Sequence, residues 1–582
     1  MRSITPLQRL RRYLAPHKAS LVLWALCTLA VNLSKVAAPI VLQRAIDNLS
    51  SEIATSRLLQ YGALVITVAI IQGIFHYSAE RVSGNFFCDM EYALRNDFYR
   101  HIQKQPPEFF RVNRTGDLMA LATNDLEAVI TGFAPALSSV NTLFAIVVII
   151  PVMAMASWHL TLLAFLPLPL MAANAQFFMK RIRAKFERIQ ELFGTISNQA
   201  HETFSGVRTV RAYTHEQATI ENFRALNGEY RKHKLGLIRL SALFAPSLEF
   251  LIGLSFLAVL WYGGNLTVDG TISVGQFVEF TILLGYLVWP IYELGWAIGL
   301  FQRGMASMGR IHSIMSTEPA IMDAPQPVDV ADIAGEIEFK DLTFKYTGTA
   351  QPVLRGVNLR IAPGQTVAFV GPVGSGKSTL MNLVPRLLDA EDGQILIDGH
   401  SIRRIPLRVL RSSIGYVQQE ALLFSETIAA NIAFGLEETS REEIETAAAE
   451  AGIAEDIAEF PEGYETLVGE RGITLSGGQK QRATIARAVI RHPKILILDD
   501  ALSSVDTDTE AKILRRLRTL MRGRTCLISS HRVSTIKDSD LIVVLSEGRI
   551  AEQGSHDELL THGGLYAELH EKQLLEEEVA AT

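Results

Sequence analysis

Gly371-Pro372-Val373-Gly374-Ser375-Gly376-Lys377-Ser378, followed by Thr379, decides how the C-terminal half of this chain is read. It lies between the apolar run 366–370 and the helix-forming run 380–388. A G-x-x-x-x-G-K-[ST] pattern between a strand and a helix is a phosphate cradle. Its glycines let backbone N–H groups close around phosphate oxygens, and the helix N-terminus adds positive potential. The Lys377 ammonium can reach the terminal phosphates of a nucleotide, and the Ser378 hydroxyl suits a magnesium ion.

Outward from that stretch, short apolar strands alternate with helical segments, at residues 337–339, 366–370, 395–397, 414–417, 495–498, 525–529 and 541–545. This alternation predicts an α/β nucleotide-binding domain over 336–570, with a charged tail over 571–582. A polar, proline-containing stretch, 311–335, reads as a linker.

Residues 1–310 have a different character. Apolar segments at 21–46, 58–78, 133–156, 160–178, 240–262 and 277–300 match the ~20 residues that span a bilayer. The chain start is basic, but the apolar stretch behind it is long and lacks a small-residue cleavage pattern, so it reads as an anchor. Arg9, Arg11, Arg12 and Lys18 precede the first span. Arg81, Arg95 and Arg100 follow the second, and Lys180, Arg181, Arg183, Lys185 and Arg188 follow the fourth. The opposite loops hold few basic residues, which predicts both termini in the cytoplasm of a multi-pass inner-membrane protein. The two connections on that side are far longer than ordinary loops and are expected to be helix extensions. Their turn signals fall at Gln105-Pro106-Pro107 and Ser205-Gly206.

The 582 residues carry 55 basic and 61 acidic side chains, a net charge of −6 that gives no reason for a nucleic-acid partner. Cys27, Cys88 and Cys526 lack metal-ligand spacing and are expected to be reduced thiols.

Further motifs fall in a fixed order. The apolar run 495–498 ends in Asp499, suited to a magnesium shell. Leu475-Ser476-Gly477-Gly478-Gln479 opens a helical run and suits a γ-phosphate. With Tyr346, Gln419, Ser503-Ser504-Val505-Asp506 and His531, the chain resembles the ATP-binding cassette (ABC) half-transporters, in which a six-span membrane domain is fused to the ATPase. The resemblance implies ATP and Mg2+ as cofactors, with Tyr346 stacking on adenine and Gln419 joining Ser378 and Asp499 at the metal. It implies His531 as the switch histidine and Ser476, Gly477, Gly478 and Gln479 as the signature. Domain order and long loops are similar to exporters, whose loop tips dock on the ATPase. Val468-Gly469-Glu470-Arg471-Gly472 matches the loop that meets them.

The family expects Glu after Asp499, to polarise the attacking water; this chain has Asp500. A side chain one methylene shorter misplaces a catalytic base, and an error near 1 Å costs about 10²-fold. Since the family's nucleotide domains pair head to tail, the resemblance implies a heterodimer. This chain's P-loop and Asp500 would form a degenerate site, and its signature would complete the partner's site. A homodimer in which Asp500 acts through a repositioned water is the alternative. The expected activity is ATP-driven export of hydrophobic or cationic amphiphilic compounds. A lipid or lipid-linked-glycan flippase, or a regulatory subunit that mainly binds ATP, are the rivals.

Lys35, Glu249, Glu279 and Glu293 fall inside the predicted spans, where a central charge costs at least about 2.5 kcal/mol. They read either as lining a cavity for such substrates or as interhelical pairs. Phe280, Tyr286, Trp289 and Trp296, beside Pro290, give the last span an aromatic content suited to drugs or lipids.

Overall fold

The computed structural model describes residues 5–49, 55–330, 332–469, 475–501, 516 and 519–581. The chain forms two compact units, residues 1–102 with 116–317 and residues 103–115 with 318–582.

The first unit is helical. It runs α1 (Pro6–Leu14), α2 (Lys18–Leu49) and α3 (Thr55–Gln103), then, past α4 (Pro107–Val112) of the second unit, α5 (Thr115–Ala120) and α6 (Leu126–Ala156). After these come α7 (Trp158–Phe165), α8 (Leu168–Ser205), α9 (Val207–Ala212), α10 (Glu216–Val268) and α11 (Val274–Met315). Among the described residues, five segments are long and apolar enough to cross a membrane. α11 has the length, but its apolar stretch is described only over Val274–Val288, so the sixth expected span is not counted.

The expected helix extensions are present: α3, α8 and α10 continue well past their apolar stretches. The segment expected as a span at 160–178 lies within Trp158–Ser205, one of these five segments, with a short turn at Leu166-Pro167 between α7 and α8. Leu59, Ile66, Ile70 and Ile74 of α3 stand exposed, an apolar surface made for lipid rather than water.

α6 and α11 pack closely because both offer glycine. A Cβ on Gly132 would stand 2.7 Å from Gly304 Cα, an approach that only the smallest residue permits. Nearby, Asp125 accepts from Ser307 Oγ at 2.9 Å and Arg310 Nε at 2.8 Å. Ile311 is buried and α11 runs on to Met315, so the stretch 311–335 expected as a linker begins as packed helix. Elsewhere on α11, Asp47 accepts from Ser273 Oγ at 2.7 Å and from the Gly275 amide at 2.8 Å.

The second unit holds two sheets among its described residues. One is antiparallel, in the order β2 (Leu354–Ile361), β1 (Ile337–Phe344), β4 (Ile395–Ile397), β5 (His400–Ser401). The other runs β10 (Arg549–Gly554), β9 (Leu541–Ser546), β3 (Thr366–Val370), β8 (Thr525–Ser529), β7 (Ile495–Asp499), β6 (Ile414–Val417), parallel except for the edge strand β10. β7 and β8 are buried along their whole length, which is why their sequences read as continuous apolar runs without alternation. β3 lies beside β8 and β8 beside β7, so their C-terminal ends meet: Phe369 and Asp499 both pair with Ser529. That edge of a parallel sheet is where an α/β fold places its ligand.

The stretch expected as a free linker is tied down along its later part. Met322 and Asp323 accept from Arg386 Nη2 and the Leu407 amide, and the Val328 amide donates to Arg404. The helix Leu565–Ala581 carries through the expected tail.

Candidate functional site

At the end of β3 the chain turns through Gly371, φ +147°, where a Cβ would stand 2.1 Å from the Leu545 carbonyl oxygen. No other residue fits there. The loop then enters the helix Lys377–Leu383 through Gly376, φ +104°. Lys377 is buried, and its Nζ donates to the carbonyls of Gly371 at 2.8 Å and Pro372 at 3.0 Å.

A cavity of about 370 Å³ opens over this loop. Val373 through Thr379 line it together with Gln419, Asp499, Asp500, Ser529 and His531. Residues spread over some 160 positions of sequence thus face one space. Ser378 Oγ donates to Asp499 Oδ1 at 3.1 Å, and Gln419 Nε2 to Asp500 Oδ2 at 3.5 Å. Asp500 is buried at φ +48°, a left-handed conformation that Asp tolerates better than most residues, and its amide donates to the Ser529 carbonyl at 2.9 Å. Burial pushes the Asp499 carboxyl above its ordinary value and the Lys377 ammonium below its own.

The described residues contain no group of three His, Cys, Asp or Glu side chains able to cage a metal alone. Ser378, Asp499 and Gln419 instead offer a few hard oxygen donors on one wall. That suits magnesium, which keeps waters and shares its shell with substrate phosphates.

Not every expected residue joins this cavity. Ser476 N-caps the helix Gly477–Val489 in a capping box with Gln479, whose Nε2 donates to Asp456 at 3.0 Å. None of Ser476, Gly477, Gly478 and Gln479 lines the cavity. Tyr346 meets it at one remove, its hydroxyl 3.0 Å from Thr379 Oγ1. Ser503 to Asp506, and residues 470–472 of the other expected loop, lie outside the described residues.

Two side chains of α4, in the first long connection whose tip is expected to dock on the ATPase, reach the same region. Glu108 accepts from the Thr347 amide at 3.1 Å, and the Arg111 guanidinium sits 4.9 Å over the Tyr346 ring. The Gln105-Pro106-Pro107 turn starts α4 with proline at its first position, and Glu108-Phe109-Phe110 lies in the loop stretch that resembles the exporter pattern.

In the helical unit a second cavity, about 290 Å³, is framed by α2, α3 and α6. Lys35, His76, Glu80 and Asn141 face it with Trp24 and Phe87. The other intramembrane charges do not converge there. Glu249 is exposed on α10, Glu279 is buried towards Asp47, and the Glu293 side chain lies outside the described residues. Phe280 packs into the helical core rather than a cavity, Tyr286 is exposed, and the side chains of Trp289, Pro290 and Trp296 lie outside the described residues.

Comparison with known proteins agrees with both units. Residues 21–291 match the ABC transporter transmembrane region family, and residues 354–503 match the ABC transporter family. The chain is 37% identical to a probable multidrug resistance ABC transporter ATP-binding/permease protein, YheI, of Bacillus subtilis, over 94% of each chain. It is 36% identical to an ATP-dependent lipid A-core flippase of Syntrophus aciditrophicus, over 98% of this chain and 95% of the other. Among solved structures, a bacterial Atm1-family ABC exporter with ATP bound superposes with TM-score 0.77 at 28% identity, covering 97% of this chain and 98% of that one. The chain therefore belongs to the ABC transporter family, as an exporter whose membrane domain is coupled to an ATP-hydrolysing domain.

Proposed function

We propose that this chain is one half of a dimeric exporter of the cytoplasmic membrane, with six spans, both termini in the cytoplasm, and a second half-transporter as partner. Its cargo is hydrophobic or amphipathic. Support comes from the asymmetry of basic residues along the sequence and from the cavity holding Lys35, His76 and Glu80 between aromatic walls, where a polar head and an apolar body both find contacts.

In the ATPase, Gly371 to Thr379 hold the phosphates, Tyr346 stacks on adenine, and Ser378, Asp499 and Gln419 hold magnesium. When bound, that ion neutralises charge on the β- and γ-phosphate oxygens. His531 faces the terminal phosphate. Asp500 stands where a base would orient water, yet its carboxylate is one methylene shorter than glutamate and is engaged by Gln419. We assign this cavity to the slow, degenerate site of a heterodimer. The signature, remote from the cavity in its own chain, completes the active site of the partner.

The observation that carries this reading is the presence of Asp500 on the cavity wall while Ser476 to Gln479 stay off it. The test is to isolate the tagged chain from its native membrane, identify the companion subunit, and measure ATP turnover with Gly477→Asp. A loss of at least about tenfold supports a signature that serves the active site; unchanged turnover contradicts it. A flippase is the second reading, favoured by the resemblance to a lipid A-core flippase and by the charged cavity facing apolar helices.

A further inference from the structure

The switch segment around His531 is gripped from the far end of the chain. Gln573 Oε1 accepts from the Val533 amide at 2.8 Å, and Gln573 Nε2 donates to the His531 carbonyl. One carboxamide thus clasps both peptide planes that flank Arg532. The plane between His531 and Arg532 is also held at its other end, where the Arg532 amide donates to Ser530 Oγ at 3.0 Å. With its C=O and N–H both engaged, that plane cannot rotate freely, and rotation there would re-aim the His531 ring that lines the nucleotide cavity.

The helix that supplies Gln573 is firmly seated. At its start the Glu552 carboxylate accepts from the Leu565 amide at 2.6 Å and the Tyr566 amide at 3.2 Å. Tyr566 is fully buried, its hydroxyl 2.7 Å from His556 Nδ1. Gln573 follows Tyr566 by two helical turns, about 11 Å along the axis. The clasp therefore links the switch to a rigid element that shares no strand with the P-loop.

We infer that Gln573 is a positioning residue for His531, and that the C-terminal helix sets how firmly this chain's site grips a terminal phosphate. The inference rests on the reading of His531 as a group facing that phosphate. A merely structural glutamine would affect all nucleotides alike, whereas a residue acting through His531 affects only those with a γ-phosphate. ATP against ADP is thus the discriminating readout.

The experiment uses the purified full complex, photolabelled on this chain with 8-azido-[α-32P]ATP and competed with unlabelled ATP or ADP. His531→Ala is expected to weaken ATP competition and leave ADP competition within about twofold; if it does not, the reading of His531 itself fails. Given that result, Gln573→Met, which keeps the shape and removes both hydrogen bonds, is expected to weaken ATP by about five- to tenfold and ADP by less than twofold. Gln573→Glu keeps the acceptor for the Val533 amide but cannot donate to the His531 carbonyl, and is expected to fall between. Unchanged ATP competition in Gln573→Met, or equal loss of ATP and ADP, overturns the proposal, the second outcome marking Gln573 as a support of the fold alone.

Discussion

Ser378 Oγ donates to Asp499 Oδ1 across 3.1 Å, which joins the first turn of the P-loop helix to the end of β7. The contact sets a hydroxyl and a carboxylate side by side in a buried wall, and burial raises the Asp499 pKa. If Asp499 holds magnesium as proposed, its raised pKa means that protons compete with the ion at a higher pH than an ordinary carboxylate would allow. The magnesium concentration for half-maximal nucleotide binding is expected to rise as pH falls towards that pKa, and to be flat above it. Magnesium titrations between pH 5 and pH 8 check the sign, and a half-maximal concentration that falls with acidification contradicts it.

Gly132 and Gly304 bring α6 and α11 together at glycine distance. Gly132→Ala puts a methyl against Gly304 Cα and the Leu300 carbonyl, each at 2.7 Å, so the helices must separate. We expect a loss of about 1 to 3 kcal/mol, read as a lower midpoint of thermal unfolding in detergent. Gly62→Ala, on α3 with nothing within 4 Å, is the neutral control.

Arg487 donates to the Asn431 carbonyl, the Asn431 side chain and the Leu422 carbonyl, each at 2.8 Å, and lies over Phe424 and Phe434. Burial brings its pKa down to about 10, so it stays charged at neutral pH. Lysine cannot reproduce that fork of donors. Arg487→Lys is expected to cost about 1 to 2 kcal/mol of stability, measured by urea unfolding, because the partly buried bonds to the Asn431 carbonyl and side chain lose their donors.

How much of this could be read from the chain alone differs between the two units. The cavity residues were legible because each sits in a contiguous motif with its own strand or turn, and a parallel sheet brings strand ends together in a known way. The grip of Gln419 on Asp500, and of Arg111 on Tyr346, was not legible, since neither pairing leaves a local pattern. In the helical unit, apolar runs located the spans but not helix ends, because a helix continues through polar residues once packing supports it. The Gly132–Gly304 approach and the convergence of Lys35 with Glu80, rather than with Glu249, both depend on a second helix.

That convergence yields a cargo prediction. If Glu80 meets the cationic head of an amphiphile in the cavity with Lys35 and His76, Glu80→Gln is expected to raise the half-maximal concentration for ATPase stimulation by a cationic amphiphile. A shift of about tenfold corresponds to ~1.4 kcal/mol. An anionic amphiphile is expected to stimulate the variant at equal or lower concentration, and identical shifts for both would remove Glu80 from the cargo path.

The central claim is that Asp500 occupies a site that contributes little to turnover. Its most direct test is the steady-state ATPase rate of the natively purified complex carrying Asp500→Asn. The complex is expected to keep at least about half of its rate, since in the proposed heterodimer the partner's base does the hydrolysis. A fall of about 10²-fold would show Asp500 acting as the working base and would contradict the account.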